Sequence, residues 1–357
     1  MNALQDFVEA EGYIPLAWAG ATMEMNYLNW GDALSPVMVA LMSGLPIRRV
    51  PTRSKSLRLG AVGTVGHGFD LGQIFFWGTG TSEWRNPSAP LAEREPYAVT
   101  PGTEITVCAT RGPYSAKILG GHNVPYGDPV WLLPRFHNPQ VEKKYELGII
   151  LHLSELESRE LDAGPADWVK RAHIPAELAD KVTIINTLTA IDPDGLRAKT
   201  DEILACKRIV STSLHGMVVA ETYGIPCLYF AVRGIKPETR GLSSEPLDDP
   251  FLDARIRDLY QGIGRTLLPM YIQPRGEASD FQAVMDAVDQ AWEPCDIDQD
   301  ALIAAFPLDT QPLAFAPGES MWQHPAITSI QFQHDVAAVR RDDVERVKAA
   351  RIKAKQA

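Results

Sequence analysis

Residues 208–232, with the sequence RIVSTSLHGMVVAETYGIPCLYFAV, decide the fold class of this chain. They contain a short apolar strand at Arg208–Val210, a turn of three hydroxyl residues at 211–213, and a helix over Leu214–Tyr223. A glycine and a proline then end the helix, and Cys227–Val232 forms the next strand. Because a helix joins two consecutive strands, we expect these strands to be parallel.

The same alternation of strands and helices extends outward from this unit. We predict further strands at Ile14–Ala19, Leu57–Val62, Ile74–Trp77, Ile105–Ala109, Leu147–Leu153 and Val182–Ile185. We predict further helices at Leu34–Met42, Tyr114–Leu119, Gly195–Cys206, Phe281–Trp292 and Val336–Lys355. The polar stretch Pro134–Tyr145 interrupts the pattern and marks the predicted domain boundary. These features predict an α/β fold with two doubly wound, Rossmann-like domains that face a cleft.

The predicted domains cover residues 1–140 and 141–310, and residues 311–357 form a helical extension. The last helix is basic, with Arg340, Arg341, Arg346, Lys348, Arg351, Lys353 and Lys355. Two interpretations of this helix stay open. It is either a solvated amphipathic helix packed on the body of the protein, or a contact surface for a partner or an anionic membrane.

Composition excludes several classes of protein. The 357-residue chain has a net charge of −11, which argues against nucleic-acid binding because such proteins need a positive contact face. The first residues lack the features of a signal peptide, and no apolar run approaches the ~20 residues that span a bilayer. We therefore expect a cytoplasmic protein, at most bound to the inner face of the membrane. The four cysteines lack metal-site spacing and are expected to be reduced, so no metal site is predicted.

The turn within the first quoted stretch is the strongest candidate site. Ser211, Ser213, Leu214 and His215 lie where a buried strand ends and a helix begins, so unpaired backbone N–H groups and the helix dipole favour a phosphate or carboxylate. Open α/β sheets bind ligands at this end of their strands. The alternative is that Ser213 only caps the helix and His215 only packs.

Two other cationic residues follow predicted strands. Arg111 stands between a strand and a helix, and its planar guanidinium suits a carboxylate or phosphate. Lys236 follows the strand Cys227–Val232. Each residue taken alone is also compatible with an ordinary surface charge, but the common position after a strand favours a shared site.

Four further polar residues are candidates. Asn29 and Asp32 lie in a predicted turn and either bind sugar hydroxyls or cap the following helix. His67 lies among glycines whose spacing does not fit a dinucleotide site, and Asp128 is either catalytic or fixes a loop.

Taken in order, several short segments resemble the polysaccharide pyruvyl transferase family, particularly its bacterial exopolysaccharide members. The matching segments are Asn29-Trp30-Gly31-Asp32-Ala33-Leu34, Gly78-Thr79-Gly80, Arg111-Gly112-Pro113-Tyr114-Ser115, Gly127-Asp128-Pro129 and Ser213-Leu214-His215-Gly216. The resemblance runs from about residue 25 to residue 240 and does not extend into the C-terminal third of the chain. It departs from the pattern at Ser213, where some relatives carry arginine.

The resemblance implies a fold like the GT-B glycosyltransferases, phosphoenolpyruvate as donor and no other cofactor. The acceptor would be a hexose of a polysaccharide or of its lipid-linked precursor, held on the N-terminal side by Asn29 and Asp32. His215, Arg111 and Lys236 would be donor-site residues, and His67 a further catalytic candidate. Two alternatives stay open: a nucleotide-sugar glycosyltransferase on the same fold, and a non-catalytic carbohydrate-binding protein.

Overall fold

The computed structural model describes residues 2–356 and the side chains of residues 2–352, so the side chains of Lys353 and Lys355 lie outside the described residues. The helices are α1 (Ala3–Glu11), α2 (Trp30–Ser43), α3 (Pro113–Leu119), α4 (Pro193–Leu204), α5 (Leu214–Thr222), α6 (Ala254–Gly262), α7 (Phe281–Ala291), α8 (Gln299–Ala304), α9 (Pro325–Thr328) and α10 (Val336–Gln356). The strands are β1 (Ile14–Leu16), β2 (Ala21–Thr22), β3 (Leu28–Asn29), β4 (Ile47–Arg49), β5 (Arg58–Gly60), β6 (Gly72–Phe76), β7 (Thr103–Val107), β8 (Leu147–Leu151), β9 (Val182–Asn186), β10 (Leu188–Thr189), β11 (Ile209–Ser211), β12 (Cys227–Ala231), β13 (Gly241–Pro246), β14 (Leu267–Ile272) and β15 (Gln333–His334).

The chain forms two compact units. The first comprises residues 1–28, 32–129 and 298–357, and the second comprises residues 29–31 and 130–297. The chain therefore passes between the units at Pro129–Val130, not at the predicted boundary of residues 140 and 141. Residues 311–357, predicted as a separate extension, lie within the first unit. The assignment of functional domains to these segments stays a prediction.

A parallel sheet of five strands forms the centre of the first unit, in the order β4-β1-β5-β6-β7. Its core includes Ile74 and Phe76 of β6, which pack with Phe69 and Leu119. Because all five strands run the same way, their carboxyl ends meet at one edge of the sheet. We call this edge, with the loops that follow β5, β6 and β7, the first carboxyl edge.

A six-stranded sheet forms the centre of the second unit, in the order β13-β14-β12-β11-β8-β9. All pairs except β13 with β14 are parallel. Every residue of β8 is buried, as expected for a parallel strand that is covered on both faces. The prediction of an α/β fold with parallel sheets is confirmed.

Most predicted elements are present, with ends that differ from the prediction by at most three residues, except at the start of α2. The predicted turn over Asn29–Asp32 is wrong, because helix α2 already begins at Trp30. The Trp30 N–H donates to Thr187 O at 2.8 Å, and its indole Nε1 donates to Thr200 at 3.2 Å. The start of the helix is therefore set by contacts with residues more than 150 positions away along the chain, which leave no local signal.

Helix α10 packs on the first unit through a buried carboxylate. Asp343 accepts hydrogen bonds from the hydroxyl groups of Ser54 and Ser56. Packing on the body of the protein, one of the two interpretations of the basic helix, is therefore present over its described side chains. Within residues 2–356, no helix is long and apolar enough to cross a membrane.

Candidate functional site

Arg111 lies at the first carboxyl edge, four residues after β7, and its side chain is fully buried. Its Nε donates to Asp128 Oδ2 at 3.2 Å, and its Nη1 donates to Thr64 Oγ1 at 2.8 Å. Its Nη2 has no hydrogen-bond partner among the described residues, nor does the buried hydroxyl of Thr79. Asp128 and Thr64 thus hold one side of the guanidinium and leave donor capacity on Nη2.

Gly80 makes room for this guanidinium. A Cβ atom at position 80 would overlap Nη1 of Arg111 and would lie 2.5 Å from its Cζ. The backbone joins the same segments, because Arg111 N–H donates to Thr79 O at 3.3 Å. The segment Gly78-Thr79-Gly80 and the segment that begins at Arg111 are therefore in direct contact.

The loop after β5 brings two further candidates to this edge. The N–H groups of Val65 and Gly66 both donate to Gly80 O at 3.0 Å. His67 follows them in a half-buried 3-10 turn, and burial lowers the pKa of its imidazole, which favours the neutral form. Asp32 is close as well, since its Oδ1 lies 3.2 Å from the place that a Cβ on Gly63 would take. The structure thus brings Asp32 and Arg111 to the same edge of the first unit.

In the second unit, β11 ends at the predicted turn. The Ser211 hydroxyl donates to Ser213 O at 2.8 Å and accepts from Ser213 N–H at 3.0 Å, so it is engaged within the turn. The alternative in which the Ser213 hydroxyl caps the helix is wrong, because this side chain makes no capping hydrogen bond. The N–H groups at the start of α5 are therefore not capped by Ser213, and Leu214, which is buried, offers only its backbone.

His215 is the second residue of α5 and is 7% exposed. It packs against Gly31 so closely that a Cβ at position 31 would overlap its Nδ1. Gly31 belongs to the second unit together with Asn29 and Trp30. Two segments of the family pattern, the one at residues 29–34 and the one at residues 213–216, are therefore in contact at this histidine.

A buried ion-pair network holds the turn after β11. Glu155, 1% exposed, accepts from Thr212 Oγ1 at 2.6 Å and from Arg171 Nη2 and Arg275 Nε at 2.5 and 2.9 Å. Burial alone would raise the pKa of Glu155, but the charge of Arg171 and the three hydrogen bonds hold it below its usual value. Thr212 also accepts the N–H of His152 at 2.7 Å, which links the ends of β8 and β11.

The remaining candidates occupy more open positions. Lys236 is exposed in the loop that follows β12, and Asn29 is half-buried at the end of β3. Arg111, His67 and Asp32 belong to the first unit, whereas Lys236 belongs to the second unit with the turn and Asn29. Convergence of these two groups on one ligand stays a prediction.

Sequence reasoning did not assign several residues that shape these sites. No local sequence pattern pairs Arg111 with Thr64 and Asp128, and none distinguishes Glu155 as a site residue. The glycines at positions 31 and 80 stood in the quoted segments, and a glycine that recurs beside a functional residue signals close approach of a neighbouring group. The pairing of Asp128 with Arg111 favours the loop-fixing interpretation of this aspartate.

Comparison with known proteins matches part of this chain to one family. The family model of the polysaccharide pyruvyl transferases matches residues 73–234, a segment that includes Arg111, Asp128 and His215. An uncharacterized protein of Acanthamoeba polyphaga mimivirus is 32% identical over 116 residues, which cover 32% of this chain and 35% of that protein. The matched part thus spans about a third of this relative. No solved structure shows significant similarity to the chain.

The resemblance proposed from the short segments is confirmed over the matched range. The family consists of transferase enzymes, and the match extends from β6 to the loop after β12. Residues 73–234 of this chain are therefore similar to the polysaccharide pyruvyl transferase family.

Proposed function

We propose that this chain is a pyruvyl transferase that forms a pyruvate ketal on a hexose of a polysaccharide or of its lipid-linked precursor. Phosphoenolpyruvate is the donor, and no other cofactor takes part. Two units with parallel sheets are what a GT-B-like fold requires, and we propose that arrangement here. The proposed pyruvyl transfer takes place in the cytoplasm, at or near the inner face of the membrane.

The arrangement around Arg111 carries the proposal. A fully buried guanidinium is costly unless it is paired, and here Asp128 and Thr64 hold it while Nη2 keeps its donors. A carboxylate ligand would complete the fork with charge-assisted hydrogen bonds. This geometry fits the carboxylate of phosphoenolpyruvate, a donor that is compatible with the pyruvyl transfer named in the description of the matched family.

The other residues take the remaining roles. His215 acts as the acid/base or contacts the phosphate, Lys236 contacts the phosphate, and His67 is a further acid/base candidate because burial lowers the pKa of its imidazole. Since the Ser211 hydroxyl is engaged within the turn, the backbone of this turn is the part that meets the anion.

The proposed chemistry balances without a metal or a redox partner. A proton adds to the methylene carbon of phosphoenolpyruvate, and a sugar hydroxyl attacks C2. Phosphate then leaves with its bonding electron pair, and a second hydroxyl of the same hexose closes the ketal. Asn29 and Asp32 hold the hexose. One ketal and one inorganic phosphate form from each phosphoenolpyruvate.

Phosphate release tests this proposal directly. The full chain is incubated with phosphoenolpyruvate and a panel of β-galactosides, glucosides and mannosides. Phosphate release is measured, and the masses of the products are determined by mass spectrometry. We expect phosphate release with one sugar class, together with a mass gain of one pyruvic acid less one water. Sugar binding without phosphate release would instead identify a carbohydrate-binding protein, and stabilisation by sugar nucleotides alone would identify a glycosyltransferase.

Arg111→Lys tests the arrangement around Arg111 on which the proposal rests. Lysine keeps the charge but lacks the planar arrangement of donors that arginine offers. We therefore expect kcat/KM for phosphoenolpyruvate to fall at least about tenfold, which corresponds to the loss of one charge-assisted hydrogen bond. Arg58→Lys is the matched control, because Arg58 is equally buried in the same unit but donates only to backbone carbonyls, those of Thr52, Ser54, Ser56 and Asp70. Equal kinetics in both variants would contradict the role of Arg111.

A further inference from the structure

A polar cavity lies in the first unit beside the edge strand β4. Its volume is about 680 Å³, within the range of small-molecule sites. Trp18 and Arg49 line it from the sheet, and His334 and Arg346 line it from β15 and α10. Arg111 and the turn at residues 211–216 do not line it.

Trp18 and Arg49 direct donors at one point. Trp18 is 3% exposed, and its indole Nε1, which can only donate, has no hydrogen-bond partner among the described residues. Nη1 of Arg49 is likewise buried without a partner there. A Cβ on Gly20 would overlap this Nη1 and lie 2.7 Å from the indole Nε1, so the two donors converge above Gly20.

The guanidinium of Arg49 has few other contacts. Its Nη2 donates to Trp18 O at 2.6 Å, and its Cζ lies 4.4 Å from the centre of the indole ring. Among residues 2–352 no carboxylate pairs with it, and burial lowers its pKa to about 10. A buried cation and a buried indole N–H without acceptors are both unfavourable, so this position favours an anionic acceptor.

Two further groups add donor capacity. Nε and Nη2 of Arg346 are buried without hydrogen-bond partners in the described structure, and Nη2 lies 3.6 Å from Asp343 Oδ1, beyond hydrogen-bond distance. Nδ1 of His334 is buried without a partner as well, and the charge of Arg49 acts on this imidazole. Four side chains from separate segments thus present unsatisfied polar atoms at one cavity.

We propose that this cavity binds a sugar phosphate, whose phosphate oxygens accept hydrogen bonds from Nη1 of Arg49 and Nε1 of Trp18. A tetrahedral phosphate offers acceptor oxygens in several directions, which suits donors that arrive from different segments. Asp342 and Glu345 line the same cavity, and carboxylates are suitable acceptors for the hydroxyl groups of a sugar. The cavity is also much larger than a phosphate ion needs. The site stands independently of the proposed pyruvyl transfer.

The indole N–H of Trp18 provides a local readout. The full chain is labelled with ¹⁵N, and the signals of its eight tryptophan indoles are recorded, with Trp18 assigned by Trp18→Phe. Glucose 1-phosphate, inorganic phosphate and glucose are titrated in separate arms. We expect a saturable shift of the Trp18 signal with both phosphates, with the tightest binding for glucose 1-phosphate and none for glucose.

Two variants test the residues that hold the phosphate. Arg49→Gln removes the charge, and we expect the Kd measured at Trp18 to rise at least about tenfold. Gly20→Ala adds a methyl group that would displace the Arg49 guanidinium and the Trp18 indole, so it should have a similar effect. Arg53→Gln is the control, because Arg53 is an exposed cation of the same unit outside the cavity, and it should leave the Kd unchanged.

Three results would overturn the proposal. An unmoved Trp18 signal excludes a phosphate at this position. An equal Kd for Arg49→Gln and the unmodified chain excludes the assigned contacts, and this comparison stands even where Gly20→Ala does not fold. Equal affinity for inorganic phosphate and glucose 1-phosphate excludes a sugar phosphate as the ligand class.

Discussion

At the scale of single residues, the candidate sites around Arg111 and His215 share one structural feature. A glycine lies directly against the functional side chain, Gly80 against Arg111 and Gly31 against His215. In both cases a methyl group would occupy the space of the guanidinium or the imidazole. This close approach explains why each glycine and its partner occur in separate segments of the family pattern, since both are needed for one contact.

Gly31→Ala tests this contact. The added Cβ would displace the imidazole of His215, so we expect kcat for phosphate release to fall about tenfold or more, with a loss of stability of about 1–3 kcal/mol from overpacking. Gly276→Ala is the control, because a Cβ there meets no atom within 4 Å. Unchanged kcat, together with an unchanged His215 imidazole signal by NMR, would argue against the contact.

At the scale of elements, α5 is buried on all sides. Its residues Leu214–Glu221 are all buried, including a carboxylate near its end. Glu221 accepts from Tyr260 Oη at 2.5 Å and from Trp292 Nε1 at 3.0 Å, and Cys295 Sγ lies 3.1 Å from it. Removal of this acceptor would leave the Tyr260 hydroxyl, the Trp292 indole N–H and the Cys295 thiol without it. The helix that carries His215 is therefore anchored at its far end by a polar network.

Glu221→Ala should lower the free energy of unfolding by about 3 kcal/mol, because the hydroxyl of Tyr260 and the indole N–H of Trp292 lose their acceptor. Glu221→Gln keeps an acceptor oxygen and should cost less. Urea denaturation measures both, with the exposed Glu177→Ala as control. A cost for Glu221→Ala no larger than that of Glu177→Ala would contradict the anchoring role.

At the scale of the whole molecule, half-buried histidines influence the response to mild acid. Burial lowers the pKa of His67, His137, His152 and His334, and this effect is the largest for each of them. In the unfolded chain they take up protons near pH ~6.5, whereas the folded chain resists protonation. The unfolded state therefore binds more protons as the pH falls, and the folded state loses stability.

We expect the Tm to fall as the pH decreases from 7 to 5.5. Carboxylates such as Asp253 and Asp289 have lowered pKa values, so their contribution is lost only below the unfolded value of ~4, as the pH falls through their folded pKa. Replacement of the four histidines by glutamine should flatten the curve between pH 7 and 5.5, whereas exposed His173→Gln should not. A Tm that rises or stays constant over this range would contradict the prediction.

The fold class was predictable because its signals are local. Apolar runs such as Leu147–Leu151 identify buried parallel strands, and Pro113 lies at the start of α3, where its missing N–H has no cost. Strand ends place Arg111 and His215 at carboxyl edges, so these candidates follow from the same pattern. Periodicity and end signals act over a few residues, and they are therefore readable from the chain alone.

Contacts between distant residues were decided only by tertiary structure. Helix α2 begins at Trp30 because Thr187 accepts its N–H, and the Ser213 hydroxyl makes no capping bond. The pairing of Arg111 with Asp128 and the return of residues 311–357 to the first unit likewise depend on how the elements pack. A turn of backbone is specified by its own residues, but a partner across the fold is specified by shape and burial, which no local pattern encodes.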